Sequence, residues 1–240
     1  MRANNIEILC TRQLQQHIVA TVIENEITID CVPFIKSELI VANEIVETVN
    51  VLAVKKITAI FTSTNAVEAV IQRLSTKPDW NIFCIGGVTK ETVIGFFGEK
   101  AIKGTARNAE VLAEKIIDGN NNDELVFFCG DQRLDDLPQI VRKHSLQINE
   151  VIVYNTIYTP HVINKNYDGI LFFSPSAVHS FFIENTITTD VILFAIGKTT
   201  ADAIGTYVSN EILTSDWPRQ EQLVEKLIGY FKTVKQEDRS

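Results

Sequence analysis

Short apolar runs rich in β-branched residues recur along the chain at 6–10, 57–61, 81–85, 124–129, 168–173 and 190–196. Runs of this length and composition predict strands. Between them, 13–24, 65–75, 88–98, 108–118, 133–144, 176–184, 198–208 and 219–232 space their apolar residues as helices do. Regular alternation of the two patterns predicts an α/β fold, with parallel sheets covered by helices on both faces. Ligands of such sheets collect at the carboxyl ends of the strands, where the next helix begins. The tail "KTVKQEDRS" is expected to be a solvated, frayed end.

The pattern also repeats. "FTSTNAV" (61–67) matches "FFSPSAV" (172–178), "IFCIGGVTKETV" (82–93) matches "LFAIGKTTADAI" (193–204), and "TARNAEVLAEKI" (105–116) matches "DWPRQEQLVEKL" (216–227). All three pairs are displaced by 111 positions and share twelve identities in 31 positions, where average residue usage gives about two. The chain therefore holds two related α/β units. Two long strand-like stretches, "ITIDCVPFIKSE" (27–38) and "NEVIVYNTIYTP" (149–160), fit neither unit neatly and are expected to connect them.

Each unit presents two hydroxyl-rich strand-to-helix junctions. Thr62-Ser63-Thr64-Asn65 corresponds to Ser174-Pro175-Ser176, and Gly86 with Thr89 corresponds to Gly197-Lys198-Thr199-Thr200. One reading is helix capping, in which Ser, Thr and Asn satisfy orphan backbone amides. The other takes the four helix N-termini together, as positive dipole ends and exposed amides converging on a carboxylate or phosphate ligand between the units. Gly86 and Gly197 would allow close approach of the backbone, or simply meet a turn requirement. On the second connector, Tyr154, Thr156 and Tyr158 are either packing residues or, for a tyrosine facing a cleft, a proton donor.

Composition narrows the choices. A formal charge of −8 over 240 residues excludes the basic stripe that nucleic acids or anionic membranes require. The first residues turn polar too soon for a signal peptide, no apolar run reaches the length of a membrane span, and a cytoplasmic protein is expected. Cys10, Cys31, Cys84 and Cys129 lack C-x-x-C spacing and the four histidines lack ligand spacing, so no metal is expected. "GKTT" (197–200) is not a phosphate-binding loop, because Ile192 stands where the loop needs glycine. No G-x-S-x-G or G-x-G-x-x-G occurs.

In order and spacing these segments resemble the uroporphyrinogen-III synthase family over nearly the whole length. "CTRQ" (10–13) is similar to the family's Thr-Arg-Pro, with Gln13 in place of the proline. "IFTSTNAV" (60–67), "CIGGVT" (84–89), "GDQRLDDLPQIVRKHSLQINEVIVYNT" (130–156), "FFSPSAV" and "AIGKTTADAI" look like its further motifs, with Ser145 where a glycine is common. The resemblance implies two related parallel-sheet α/β domains joined by a two-stranded β connector. One domain is discontinuous, 1–33 with 158–240, and the other is central, 36–154. It implies a cofactor-free, monomeric lyase that dehydrates and cyclises hydroxymethylbilane with inversion of ring D. By the same resemblance Tyr154 assists loss of the hydroxyl. Thr62, Ser63, Thr64, Asn65, Thr89, Ser174, Ser176, Lys198, Thr199 and Thr200 would bind substrate carboxylates, with Arg12, Arg133 and Lys198 as candidate charge partners. Two competing functions remain: a non-catalytic two-lobed sensor of a small carboxylated or phosphorylated ligand, and a hydrolase using Ser63 or Ser176, for which no paired His or acid can be placed.

Overall fold

The structure is a computed structural model that describes residues 5–119, 123–217 and 219–237, with side chains described through residue 234. The chain divides into two compact units, Met1–Lys36 with Ile157–Ser240, and Ser37–Thr156. The expected tail lies partly outside the described residues; up to Glu237 it is helical.

The central unit is built on a sheet whose strands are β3 (Ile35–Leu39), β4 (Ile57–Phe61), β5 (Asn81–Ile85), β6 (Ile102–Ala106), β7 (Glu124–Gly130) and β8 (Ile148–Tyr158), in the order β3-β8-β7-β4-β5-β6. The pairs β8–β7, β7–β4, β4–β5 and β5–β6 are all parallel. Every residue of β4 is buried, which is why its sequence ITAIF reads as a continuous apolar run. Alternate residues serve two cores. Ile57, Ala59 and Phe61 face helices α2 (Asn43–Ala53), α3 (Thr64–Ile71) and α4 (Val88–Phe97), where Phe61, Phe128 and Trp80 stack. Ile60 and Phe127 face α5 (Ala109–Gly119) and α6 (Asp136–Lys143).

The terminal unit repeats this plan with fewer strands. Its sheet holds β1 (Ile6–Cys10), β2 (Ile27–Cys31), β9 (Gly169–Phe172), β10 (Ile192–Ala195) and β11 (Ile212–Thr214), in the order β11-β10-β9-β1-β2, again all parallel. Helices α7 (Pro175–Glu184) and α8 (Lys198–Gly205) cover one face; α1 (Gln16–Glu24) and α9 (Gln220–Glu237) cover the other. The order β6-β5-β4-β7-β8 thus reappears as β11-β10-β9-β1-β2, and the segment β7-α6-β8 has its counterpart in β1-α1-β2. The correspondence extends to a detail: α1 and α6 are each followed by a residue in the left-handed region, Glu26 (φ 58°) and Ser145 (φ 62°).

Three differences from the sequence reading concern short elements. The stretch 27–38 is not a free connector throughout, because Ile27–Cys31 pairs in parallel with β1 and Ile35–Leu39 joins the central sheet beside β8. Likewise 149–160 is mostly β8, paired with β7. The pattern also gave no sign of α2, β6 or β11, discussed below.

In each unit the strand order reverses once, between β4 and β7 and between β9 and β1. Crevices outside the carboxyl ends of strands at such a reversal are where open α/β sheets bind ligands. The segments at these points are Thr62-Ser63 with Gly130-Asp131, and Phe173-Ser174 with Thr11-Arg12.

Candidate functional site

At the central reversal, β4 ends at Phe61 and α3 starts at Thr64, so Ser63 becomes the N-cap. Its extended backbone and short hydroxyl suit the role, and Oγ accepts the Ala66 amide at 3.2 Å. The same Oγ lies 3.2 Å from the phenolic oxygen of Tyr154, which arrives from β8. The Tyr154 ring is half-buried and packs against the cluster holding Phe61, Phe128 and Val153. Burial raises its pKa above the ordinary phenol value, and hydrogen bonding by Ser63 and Asn65 offsets part of that rise. The phenol is therefore neutral, with its proton in place, throughout the physiological range.

Asn65 donates from Nδ2 to the Ser37 hydroxyl at 2.7 Å, and Thr62 is half-buried beside the cap. At the next junction α4 opens at Gly87, whose φ of 74° favours glycine. Gly86, the residue before it, donates its amide to the Ala106 carbonyl at 2.9 Å. Thr89 is buried one residue inside the helix, and its Oγ1 lies 3.2 Å from Thr64 Oγ1, so the first turns of α3 and α4 are joined by hydroxyls.

The terminal unit carries the matching cap. Ser174 accepts the Ala177 amide at 3.2 Å, with Pro175 preset for the first turn and Ser176 half-buried in it. Helix α8 opens at Gly197 with an extended backbone (φ −176°) that any residue adopts, so conformation does not explain this glycine. Thr200 is buried and Thr199 exposed; Lys198 is exposed and pairs with Asp202 at 2.6 Å. Arg12, just past β1, is exposed and lies over the Phe173 ring at 5.5 Å from its centroid.

Arg133 is engaged by carboxylates on two sides. Its guanidinium pairs with Glu150, which also takes Arg142, and with Asp135 at 3.0 Å. Burial pushes the Glu150 carboxyl up, yet the two guanidiniums more than offset this and hold it below the usual range. Arg133 thus ties the start of α6 to β8, and its charge is already balanced.

Sequence reasoning missed four residues. Ser37 holds Asn65. Asp131 receives the Thr156 amide at 2.8 Å and donates its own amide to the Tyr154 carbonyl at 3.1 Å. Arg73, buried, donates to the carbonyls of Ile40 (2.7 Å) and Val153 (3.0 Å), and also to that of Ala69. Gly130 faces the Tyr154 ring directly. Gly130-Asp131 stands at the end of an apolar strand, the same punctuation that revealed Ser63 and Ser174, and that signal could have found both.

The sequence profile of the family described as "Uroporphyrinogen-III synthase HemD" matches residues 16–225. The chain belongs to the uroporphyrinogen-III synthase family. Two solved structures share its fold. A uroporphyrinogen-III synthetase from Helicobacter pylori superposes with a TM-score of 0.67, at 14% identity, over 94% of this chain and 99% of that one. A mutant uroporphyrinogen III synthase from Thermus thermophilus gives 0.65, also at 14% identity, over 96% and 99%. Members of the uroporphyrinogen-III synthase family are cyclising lyases of tetrapyrrole biosynthesis, and that is the activity of this chain. Nothing favours the sensor. Among the described residues no helix is long and apolar enough to cross a membrane.

Proposed function

We propose that Tyr154 is the proton donor for loss of the terminal hydroxyl of hydroxymethylbilane, and that the capped helix ends of both units hold the substrate's carboxylates. The observation that carries the first part is the pairing of a neutral, half-buried phenol with Ser63. Ser63 has one hydroxyl proton, and its oxygen already receives the Ala66 amide. If that proton goes to the Tyr154 oxygen, the phenol's own proton is left for the leaving group. The C–O bond breaks as the hydroxyl departs as water, leaving a conjugated, cation-like azafulvene.

That species closes readily unaided, giving the symmetric isomer. The enzyme's task is to hold ring D so that its substituted carbon attacks, forming a spiro intermediate that fragments and recloses inverted. Positioning of a bound chain can supply several kcal/mol toward this choice. Each pyrrole carries an acetate and a propionate, and an acidic protein can hold such a polyanion through backbone amides. The N-termini of α3, α4, α7 and α8 supply these, with the hydroxyls of Thr62, Ser63, Thr64, Thr89, Ser174, Ser176, Thr199 and Thr200 and the amide of Asn65. Arg12 adds exposed positive charge, and Lys198, paired with Asp202, stands at the first turn of α8.

The test supplies hydroxymethylbilane and separates the isomeric products. The protein should give the type III isomer faster than spontaneous closure gives type I. Tyr154→Phe, which loses only a hydroxyl, should fold normally and lose about 100-fold or more in rate. Unchanged type III formation by that variant would remove Tyr154 from the chemistry.

A further inference from the structure

Resting on the proton-donor reading of Tyr154, we infer that Gly130 is a positioning residue: the space left by its absent side chain seats the Tyr154 phenol against Ser63. A Cβ built on Gly130 would stand 2.5 Å from Tyr154 Cζ, 2.7 Å from Cε2 and 2.8 Å from the phenolic oxygen. Real Cβ atoms do not come so near, so ring and methyl exclude each other. The requirement is for room and not for backbone freedom, because Gly130 is not among the glycines with positive φ.

The backbone on both sides is fixed, which leaves the ring as the part that must yield. Along β7 and β8, Cys129 pairs with Ile152, but Gly130 pairs with Tyr154, so Val153 is an extra residue at a bulge. The Val153 carbonyl is taken by Arg73 at 3.0 Å and by the Ile40 amide at 3.4 Å. One residue on, the Tyr154 carbonyl accepts the Asp131 amide. The bulge sets which way Tyr154 points, and Gly130 sets how closely its ring can lie over β7.

Gly130→Ala therefore displaces the phenol from Ser63 without touching either the cap or the chemistry of Tyr154. The atoms it meets are the free tip of one side chain, so the variant should fold with its melting temperature within a few degrees of wild type. Its kcat should fall at least 10-fold with KM within about twofold. Gly130→Ala/Tyr154→Phe should be no slower than Tyr154→Phe alone, because Gly130 acts only through the hydroxyl. In protein labelled with ¹³Cζ-tyrosine, the Tyr154 resonance, identified by its loss in Tyr154→Phe, should shift in Gly130→Ala. Wild-type kcat with an unmoved resonance overturns the inference. So does a double variant slower than Tyr154→Phe, or a Gly130→Ala that fails to fold, since a ring tip can swing aside. If Tyr154→Phe itself keeps full activity, the proton-donor reading falls, and the resonance still decides whether Gly130 seats the ring.

Discussion

Ser63 Oγ stands 3.2 Å from the Tyr154 phenolic oxygen and 3.2 Å from the Ala66 amide, so one hydroxyl both caps α3 and meets the phenol. Ser174 caps α7 through the Ala177 amide in the same way. The two serines separate capping from chemistry. Ser63→Ala and Ser174→Ala should each cost about 1 kcal/mol of stability, read from denaturant melts. Only Ser63→Ala should also lower kcat, by about 10-fold, and move the Tyr154 phenol further above its ordinary pKa, since the Ser63 bond now lowers it. Ser174→Ala should act on KM instead. Equal effects of the two variants on kcat would sever Ser63 from Tyr154.

Ser145 follows the C-cap of α6 with φ at 62°, a backbone that glycine adopts without penalty. Ser145→Gly should raise stability by about 1 kcal/mol, because relief of the left-handed strain exceeds the entropy glycine adds to the unfolded chain. Glu26→Gly, after α1, should behave alike. A loss of stability in both variants would show that unfolded-state entropy dominates instead.

Asp30 anchors Lys165 at 2.8 Å and the Tyr167 hydroxyl at 2.9 Å, and these bonds hold its carboxyl below the usual range. A carboxyl depressed in the folded state contributes stability that is complete above its unfolded value, near 3.9, and disappears as pH falls through the folded value. Tyr167 is pushed up to about 12, by burial first and then by Asp30, so its share is complete below about pH 10 and is lost as pH rises toward 12. Asp30→Asn should flatten the stability profile below about pH 4 and weaken the alkaline dependence, checked by thermal melts across pH. Profiles that superpose with wild type at both ends would refute this role.

The six apolar runs were legible because both faces of these strands are buried, leaving no polar alternation to confuse the reading. β6 and β11 were not, since IKGTA and ILT are edge strands with half-exposed residues and little apolar signal. Helix α2 hid because Val46, Val51 and Val54 are exposed in and just beyond it, which blurs its period. The caps Ser63 and Ser174 were visible as short polar residues between a strand and a helix. Arg133 reads in the sequence as a bare charge, because its pairing with Glu150, seventeen residues away, is set by the fold. Gly130 could be found as the end of an apolar strand, but not its role: that lies in the Tyr154 ring that fills its place, brought there by a bulge no local pattern announces.

The pairing of Ile8 with Gly169 also has a consequence for biogenesis. During synthesis β1 leaves the ribosome early and finds β2 soon after, but its other edge stays unmatched until β9 has been made. The intervening unit, Ser37–Thr156, has all its strand partners close at hand and can close first. For that interval the nascent chain carries an open apolar ribbon ahead of a finished globule, and this is where chaperone binding or misassembly would concentrate.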